Sequence, residues 1–276
     1  MSAIPTNRAH TLDARDFAMP RRGLAPFVRD TLLITRRHLL LAWRLPQIIV
    51  FSGILPVSFV LLFRYVLGGA IHVPGNSSYV DYVIPGILVQ TVLLNGSTTA
   101  VAMADDLKSG MTDRLRSLPT QRGAILAART LADLVRMAYT VALVIVVGLL
   151  VGFRFHADVL TVSEGLAIAL LFGYACSWVF ALVGLTVRHT EASQLAVFLV
   201  TLPLVFASSI FAAPATMPTW MRTFANAQPV TQVVDALRTL AEGSGSATRP
   251  AAYAITWSLG ILLVAVTAAT VRFRRI

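Results

Sequence analysis

Residues 105–123, DDLKSGMTDRLRSLPTQRG, form a polar island between two long apolar runs. Leu107, Met111, Leu115 and Leu118 fall at i, i+4, i+8 and i+11, one narrow stripe of a helix. Thr112, Asp113 and Arg116 lie across from the stripe and Arg114 sits at its edge. Gly110 breaks the pattern from the preceding run and Pro119 ends it, so the spacing predicts a helix of about two turns over residues 111–118. A short amphipathic helix between two membrane-length runs can lie flat at the membrane face and offer its polar side to a soluble partner. Spacing alone fits a solvated interfacial loop equally well.

The runs on either side set the class. Upstream, residues 82–103 are long enough to cross the hydrocarbon, which takes roughly 20 residues. They carry Gln90, Thr91, Asn95, Ser97 and Thr98, mostly on one half of the helix. Polar side chains at membrane depth face other helices or a cavity, so these are helix–helix glue or the lining of a pathway. Downstream, residues 124–152 exceed one crossing. Arg129, Asp133 and Arg136, at i, i+4 and i+7, suit a cytoplasmic extension of a span at 130–152, held by exposed intrahelical ion pairs of small stabilising value.

Working outward, four more segments reach spanning length: 47–67 (Pro46 at its start, Pro56 inside, Arg64 near its far end), 165–187, 195–213 (interrupted by Pro203) and 251–271. Before the first, residues 24–44 read as a basic amphipathic helix. Arg29, Asp30, Arg36, Arg37 and Arg44 share about a third of its circumference, and Leu33 and Leu40 interrupt that face. Such a helix suits an in-plane position on an anionic inner leaflet, a plain cytoplasmic helix being the other reading. Residues 1–23 are polar and Arg-rich without the apolar core of a secretory signal, and read as a disordered cytoplasmic tail. Residues 219–242 are too polar to span and too apolar for a free loop. Val230, Val233, Val234, Leu237, Leu240 and Ala241 form a stripe opposite Gln232, Asp235 and Arg238, which predicts a helix at, or dipping into, the outer surface. Trp220 and Phe224 precede it as interface anchors.

Composition agrees. Apolar residues make up 56% of the chain and charged residues 13%, against about 25% charged in soluble domains, so the chain is a polytopic membrane protein. With the N-terminus inside, inner segments hold eight Arg/Lys before the first span, six from Lys108 to Arg136, Arg188, and three in the tail. That is 18, against five outside (Arg64, Arg154, Arg222, Arg238, Arg249), which places both termini and the polar island in the cytoplasm and explains the +10 charge without nucleic acid. Cys176 is the only cysteine and lies in an apolar run, and the five histidines are scattered, so neither a disulfide framework nor a metal site is expected.

Several mechanisms lack their residues. No nucleophile–base pair for an intramembrane enzyme can be identified, and the spans are almost free of the ionisable groups an ion-coupled carrier uses. The sole lysine, Lys108, is followed by Ser109, but Leu107 stands where a phosphate loop demands glycine. A pump built on this chain takes its ATPase from another polypeptide.

The order of basic helix, two spans, polar cytoplasmic helix, three spans, outer helices and last span resembles the ABC-2 family of ATP-binding-cassette permeases. Residues 109–136, SGMTDRLRSLPTQRGAILAARTLADLVR, are similar to that family's G-T-x-x-x-L-x-x-x-P block; Gly110, Leu115 and Pro119 sit close to the pattern and Met111-Thr112 replaces the usual Gly-Thr. GFRFHAD (152–158) and AQPVTQVVDALRTLAEG (227–243) resemble the daunorubicin-resistance-type permeases, DrrB and DrrC. The resemblance covers about residues 24–275. It implies an all-α fold of six transmembrane helices, the ABC-2 permease or type V exporter fold, with residues 24–276 as its transmembrane domain in the plasma membrane. It further implies an export permease that binds no cofactor itself and works with two copies of a separate ATPase holding ATP and Mg, beside a second permease subunit (an identical or a sister chain). By that analogy Met111, Asp113, Arg114, Leu115, Arg116 and Leu118 form the coupling helix on the ATPase. Gln90, Thr91, Asn95 and Thr98, with Thr201, Ser208 and Ser209, would line a translocation path at the dimer interface, though packing explains them too. Val233, Val234 and Leu237 belong to an outer helix that gates the exit or only caps the spans. A mostly apolar path with hydroxyls and amides but few charges suits a hydrophobic or amphipathic cargo, drug-like or an envelope lipid. An ATP-independent carrier or channel and a membrane scaffold that moves nothing are the alternatives.

Overall fold

The computed structural model describes residues 23–44, 46–68, 79–110, 122–243 and 248–275. In order these form α1 (Leu24–Arg44), α2 (Pro46–Leu62) continuing into a π-helical turn (Phe63–Leu67), α3 (Tyr79–Lys108), α4 (Arg122–Val151), α5 (Val159–Val187) and α6 (Thr190–Phe206). A 3₁₀ turn (Pro214–Thr216), α7 (Thr219–Ala227), α8 (Pro229–Glu242) and α9 (Thr248–Arg275) follow. No strand occurs among the described residues. The expected tail (residues 1–22), most of the loop before α3 and the expected helix at 111–118 lie outside them, as does the Ser244–Gly245–Ser246 part of the linker before α9.

Four helices are long and apolar enough to cross a membrane: Tyr79–Lys108, Gly123–Val151, Val159–Val187 and Thr248–Phe273. Two shorter apolar helices, Ser52–Val66 and Thr190–Phe206, accompany them. These make the chain an integral membrane protein. α3 and α4 have 30 residues each, about 45 Å at 1.5 Å per residue, against about 30 Å of hydrocarbon. The excess carries charge at one end, with Asp105, Asp106 and Lys108 on α3 and Arg122 and Arg129 on α4. We call this the basic end; α8 lies at the opposite end.

α3 is the central helix, buried along most of its length and packed by α4, α5 and α6. Its contact with α5 is close enough to exclude side chains: a Cβ on Gly184 would lie 2.4 Å from the Ala100 carbonyl oxygen. Small residues let helices meet backbone to backbone in lipid, where packing rather than hydrophobic expulsion holds them together. Ile84, Ile87, Leu88, Phe153, Phe172 and Leu237 belong to the main core, and a second one at the basic end joins Met103, Leu126, Trp178, Leu185 and Phe273. α1 follows the first turns of α4. Phe27 packs by Gly123, and Thr35 Oγ1 donates to the Ala128 carbonyl at 3.2 Å.

Two elements depart from the sequence reading. The expected segment 195–213 is helical only to Phe206, beyond which the chain unwinds through Ala207–Ala213. Non-helical backbone is tolerated near lipid only when protein groups meet its polar atoms, and here they come from α8, described below. α8 itself is enclosed rather than lying on a surface. None of its residues is exposed, and Val233, Val234 and Leu237 are wholly buried against α3, α5 and α9. α7 is the surface element, with Trp220 and Phe224 exposed.

Candidate functional site

The six residues assigned to the coupling helix (Met111, Asp113, Arg114, Leu115, Arg116, Leu118) lie outside the described residues. The two helix ends that flank them are described. α3 stops at Ser109–Gly110, where Ser109 N–H donates to the Asp105 carbonyl at 2.8 Å and Gly110 adopts φ +68°, the left-handed region that favours glycine. α4 resumes at Arg122.

Behind these ends the two helices are tied together. Thr99 Oγ1 of α3 donates to Asp133 Oδ2 of α4 at 2.7 Å, and Arg136 donates to Asp133 Oδ1 at 2.8 Å. Arg136 also reaches across to the Asn95 carbonyl at 3.4 Å and to Thr98 Oγ1. Nearer the end, Arg129 pairs with Asp106 at 3.6 Å, and α6 joins through Thr190 Oγ1 donating to Asp105 Oδ1 at 2.5 Å. The Arg129–Asp133–Arg136 row is therefore not an exposed intrahelical ladder. Asp133 is buried, and each member of the row has a partner on α3.

A second set of bonds closes the opposite end. Gln228, Thr231, Asp235 and Arg238 recur at i, i+3, i+7 and i+10, one stripe of α8 and the residue before it. All four serve the unwound end of α6. Gln228 Nε2 donates to the Ala207 carbonyl, Ser209 N–H donates to Thr231 Oγ1 at 3.3 Å, and Ser209 Oγ donates to Asp235 Oδ1 at 2.8 Å. Arg238 donates to the Ser209 carbonyl at 3.1 Å and to the Tyr82 carbonyl of α3 at 3.0 Å, its guanidinium lying 3.6 Å over the centre of the Tyr82 ring. Burial raises the Asp235 carboxyl above its usual range, against the pull of the Ser209 hydroxyl and Arg238.

The seven expected path residues separate into three groups. Gln90, Thr91 and Asn95 are buried within α3, where Thr91 donates to the Ile87 carbonyl at 2.7 Å and Asn95 to the Thr91 carbonyl at 3.0 Å. Thr201, Ser208 and Ser209 are buried on the α6 side. Thr98 alone is exposed, beside Arg136. Gln90 Oε1 and Thr201 Oγ1 are buried without a hydrogen-bond partner among the described residues. Two residue pairs that sequence reasoning placed on an exposed row and on the polar face of an outer helix organise these groups instead: Asp133–Arg136 and Asp235–Arg238, both D-x-x-R (DLVR and DALR). What the spacing did not reveal is their partners on other helices, α3 for the first pair and the end of α6 with Tyr82 for the second.

The two further stretches quoted from the sequence touch each other. His156 N–H, in the 152–158 connection, donates to the Ala241 carbonyl of α8 at 3.0 Å, and Gly243 turns with φ +65° against Ala157.

Residues 29–241 match the model of the family described as ABC-2 type transporter. The chain is 30% identical over 88% of its length, and 82% of the relative's, to the "Daunorubicin resistance ABC transporter permease protein DrrB1" of Streptomyces coeruleorubidus. It is 28% identical over 90% of both chains to the "Probable doxorubicin resistance ABC transporter permease protein DrrC" of Mycobacterium tuberculosis. It is 26% identical to the "Doxorubicin resistance ABC transporter permease protein DrrB" of that organism, over 77% of this chain and 74% of the relative. The matched region takes in α3, α4 and both D-x-x-R pairs, and with relatives along most of its length the chain belongs to the ABC-2 type transporter family.

Proposed function

We propose that this chain is the membrane half of an ATP-driven exporter, powered by a separate ATPase through residues 111–118 and moving a hydrophobic or amphipathic compound outward. The names of the relatives, which refer to resistance to daunorubicin and doxorubicin, support a drug-like cargo, and an envelope lipid fits the same chemistry. In this reading α2 with its π turn, α3, α4, α5, α6 and α9 make six crossings. The basic end is cytoplasmic, in keeping with 18 Arg/Lys on that side of the chain against five. Two copies, or one copy and a sister chain, stand on two ATPase subunits. ATP and Mg are bound there and not by this chain, whose Leu107-Lys108-Ser109 lacks the glycine of a phosphate loop.

The observation that carries the reading is the fastening of α3 to α4 next to residues 111–118. Through Asp106–Arg129 and the Thr99–Asp133–Arg136 cluster, a push on that segment is delivered to both helices together instead of fraying one of them. Through Asp105–Thr190 it reaches α6 as well. Interdigitated helices respond to such a push by changing between discrete packings, not by bending continuously. The buried groups on α3 and α6, including Gln90 Oε1 and Thr201 Oγ1, would then meet cargo or water when α3 and α6 separate.

The test is cargo efflux from proteoliposomes holding the permease and its ATPase. Changing Arg114 and Arg116 to Ala is expected to leave the complex assembled and to lower ATP-dependent efflux at least five-fold, about 1 kcal/mol of lost coupling. Efflux that continues without nucleotide would make the chain a carrier. Failure to bind any ATPase would make it a scaffold.

A further inference from the structure

One face of α1 forms no ion pair among the described residues, Arg37 acting on Asp106 only from beyond ion-pair distance. Thr31 and Thr35 are buried, and Thr35 Oγ1 donates to the Ala128 carbonyl of α4. The opposite side of the helix carries Leu33, Arg36, Arg37, Leu40, Leu41 and Arg44, which line an open groove of about 330 Å³. Leu33, Leu40 and Leu41 are each about half bare (54%, 48% and 53%), and the three arginines are exposed. Asp30 is the only acid in α1, and among the described residues no carboxylate lies within ion-pair distance of Arg36, Arg37 or Arg44.

Water suits the guanidiniums and not the leucines; hydrocarbon suits the leucines and not the guanidiniums. Because both kinds interleave on a single stripe about 17 Å long, no tilt of the helix can sort them between two solvents. A ligand that is itself anionic and apolar within that length satisfies both. The position points the same way, since α1 leads within two residues into Pro46 and the apolar α2, so Arg44 stands at the edge of the lipid phase. An acidic protein surface would answer the arginines and leave the leucines unmet.

We propose that this face of α1 is a binding site for an anionic phospholipid, its phosphate held by Arg36, Arg37 and Arg44 and the upper part of its acyl chains lying against Leu33, Leu40 and Leu41. Arginine forks grip phosphate oxygens in pairs. Each basic residue near an anionic leaflet is worth about five-fold in affinity. The inference requires only that the chain sits in a membrane, and it stands whether or not an ATPase drives transport.

The experiment uses the full chain in nanodiscs of phosphatidylcholine containing a few per cent of fluorescent phosphatidylglycerol or fluorescent phosphatidylethanolamine. Energy transfer from a donor dye on Cys introduced at Thr248, at the far end of the molecule, is compared with transfer from one at Leu32, beside the groove. The wild-type protein is expected to enrich phosphatidylglycerol about ten-fold over phosphatidylethanolamine near α1 and not at the far end. Arg36→Gln/Arg37→Gln/Arg44→Gln should abolish that enrichment, and Leu33→Asn/Leu40→Asn should reduce it at least three-fold with every charge retained. All five positions are exposed, and an unchanged elution profile checks that the variants remain folded. Glycerol phosphate at millimolar concentration is expected to leave the enrichment intact. Equal enrichment of both lipids in the wild type, a triple variant that behaves as wild type, or displacement by glycerol phosphate would each overturn the proposal; the last would assign the arginines to a soluble phosphate.

Discussion

The two D-x-x-R pairs hold opposite ends of α3 with opposite distributions of burial. At the basic end the acid is inside: Asp133 has 5% of its side chain exposed and Arg136 20%. At the α8 end the base is inside, with Arg238 at 12% and Asp235 at 41%. Spacing and residue types are identical, so the difference comes from what each pair serves. Asp133 accepts from a hydroxyl and a guanidinium on helices whose backbones are already satisfied. Arg238 donates to the Ser209 carbonyl of the unwound segment and to the Tyr82 carbonyl in the first turn of α3. The cost of breaking an ion pair therefore follows the buried member, because that member's partners lose a bond they cannot replace with water.

The largest effect is expected where an acid is removed from the interior. Asp133→Ala leaves Thr99 Oγ1 without its acceptor and Arg136 without its charge partner, and should cost about 3–5 kcal/mol. Thermal unfolding in detergent measures it. Asp133→Asn, which still accepts from Thr99, should recover a good part of the loss. If Asp133→Ala unfolds at the wild-type temperature, the cluster does not hold α3 to α4 and the proposed transmission of force loses its support.

Next comes Arg238→Met, which keeps the bulk of the side chain and removes its donors. The carbonyls of Tyr82 and Ser209 lose their Arg238 bonds in a dry setting, at about 2–4 kcal/mol for the two. Arg238→Lys should rescue little, since one ammonium cannot span both carbonyls while lying over the Tyr82 ring. Amide exchange should quicken in residues 207–213 and at the start of α3, and stay unchanged at the basic end. Exchange that rises equally at both ends would show that the brackets do not act separately.

How much of this was legible in the sequence follows from the range of the interactions. The all-helical class and the apolar segments are written locally, in runs of apolar residues and in Pro46, Gly110 and Pro203. The end of α6 is not. Hydropathy continues apolar to Ala213, and what allows the chain to unwind after Phe206 is the set Gln228, Thr231 and Arg238, 21 to 29 residues on. Asp133 reads as exposed beside Arg129 and Arg136 because its burial is decided by Thr99, 34 residues earlier. Amphipathicity also misleads at α8. Its polar stripe faces protein instead of water, and a periodic pattern looks the same in both cases.

A third prediction separates the two ends by pH. Burial first, then the Arg129 guanidinium and more weakly Arg37, hold His38 of α1 down to about 4, while Asp133 pulls it the other way. Because this value lies below the ordinary 6.5, the detached helix binds a proton that the packed helix refuses. The α1–α4 contact is therefore fully stable above pH 6.5 and weakens as pH falls toward 4, by about 2 kcal/mol at pH 5. Proteolysis of α1 should accelerate over that range, and His38→Gln should flatten the dependence. A wild-type profile that is flat between pH 7 and 5 would place His38 outside the packed interface.

The smallest effect belongs to the acid of the outer pair, the less buried of its two members. Asp235→Asn keeps an oxygen for the Ser209 hydroxyl, and Arg238 keeps both of its carbonyl acceptors, so a change below about 1 kcal/mol is expected. Burial raises its carboxyl above the usual range, against the pull of the Ser209 hydroxyl and Arg238. The informative quantity is the double variant Asp235→Asn/Arg238→Met. If Arg238 serves the carbonyls of α3 and the α6 end, its removal costs the same in either background and the two changes add. If the salt bridge itself were the purpose of the pair, the second change would cost less once the first had been made, and the outer bracket would work as the inner one does.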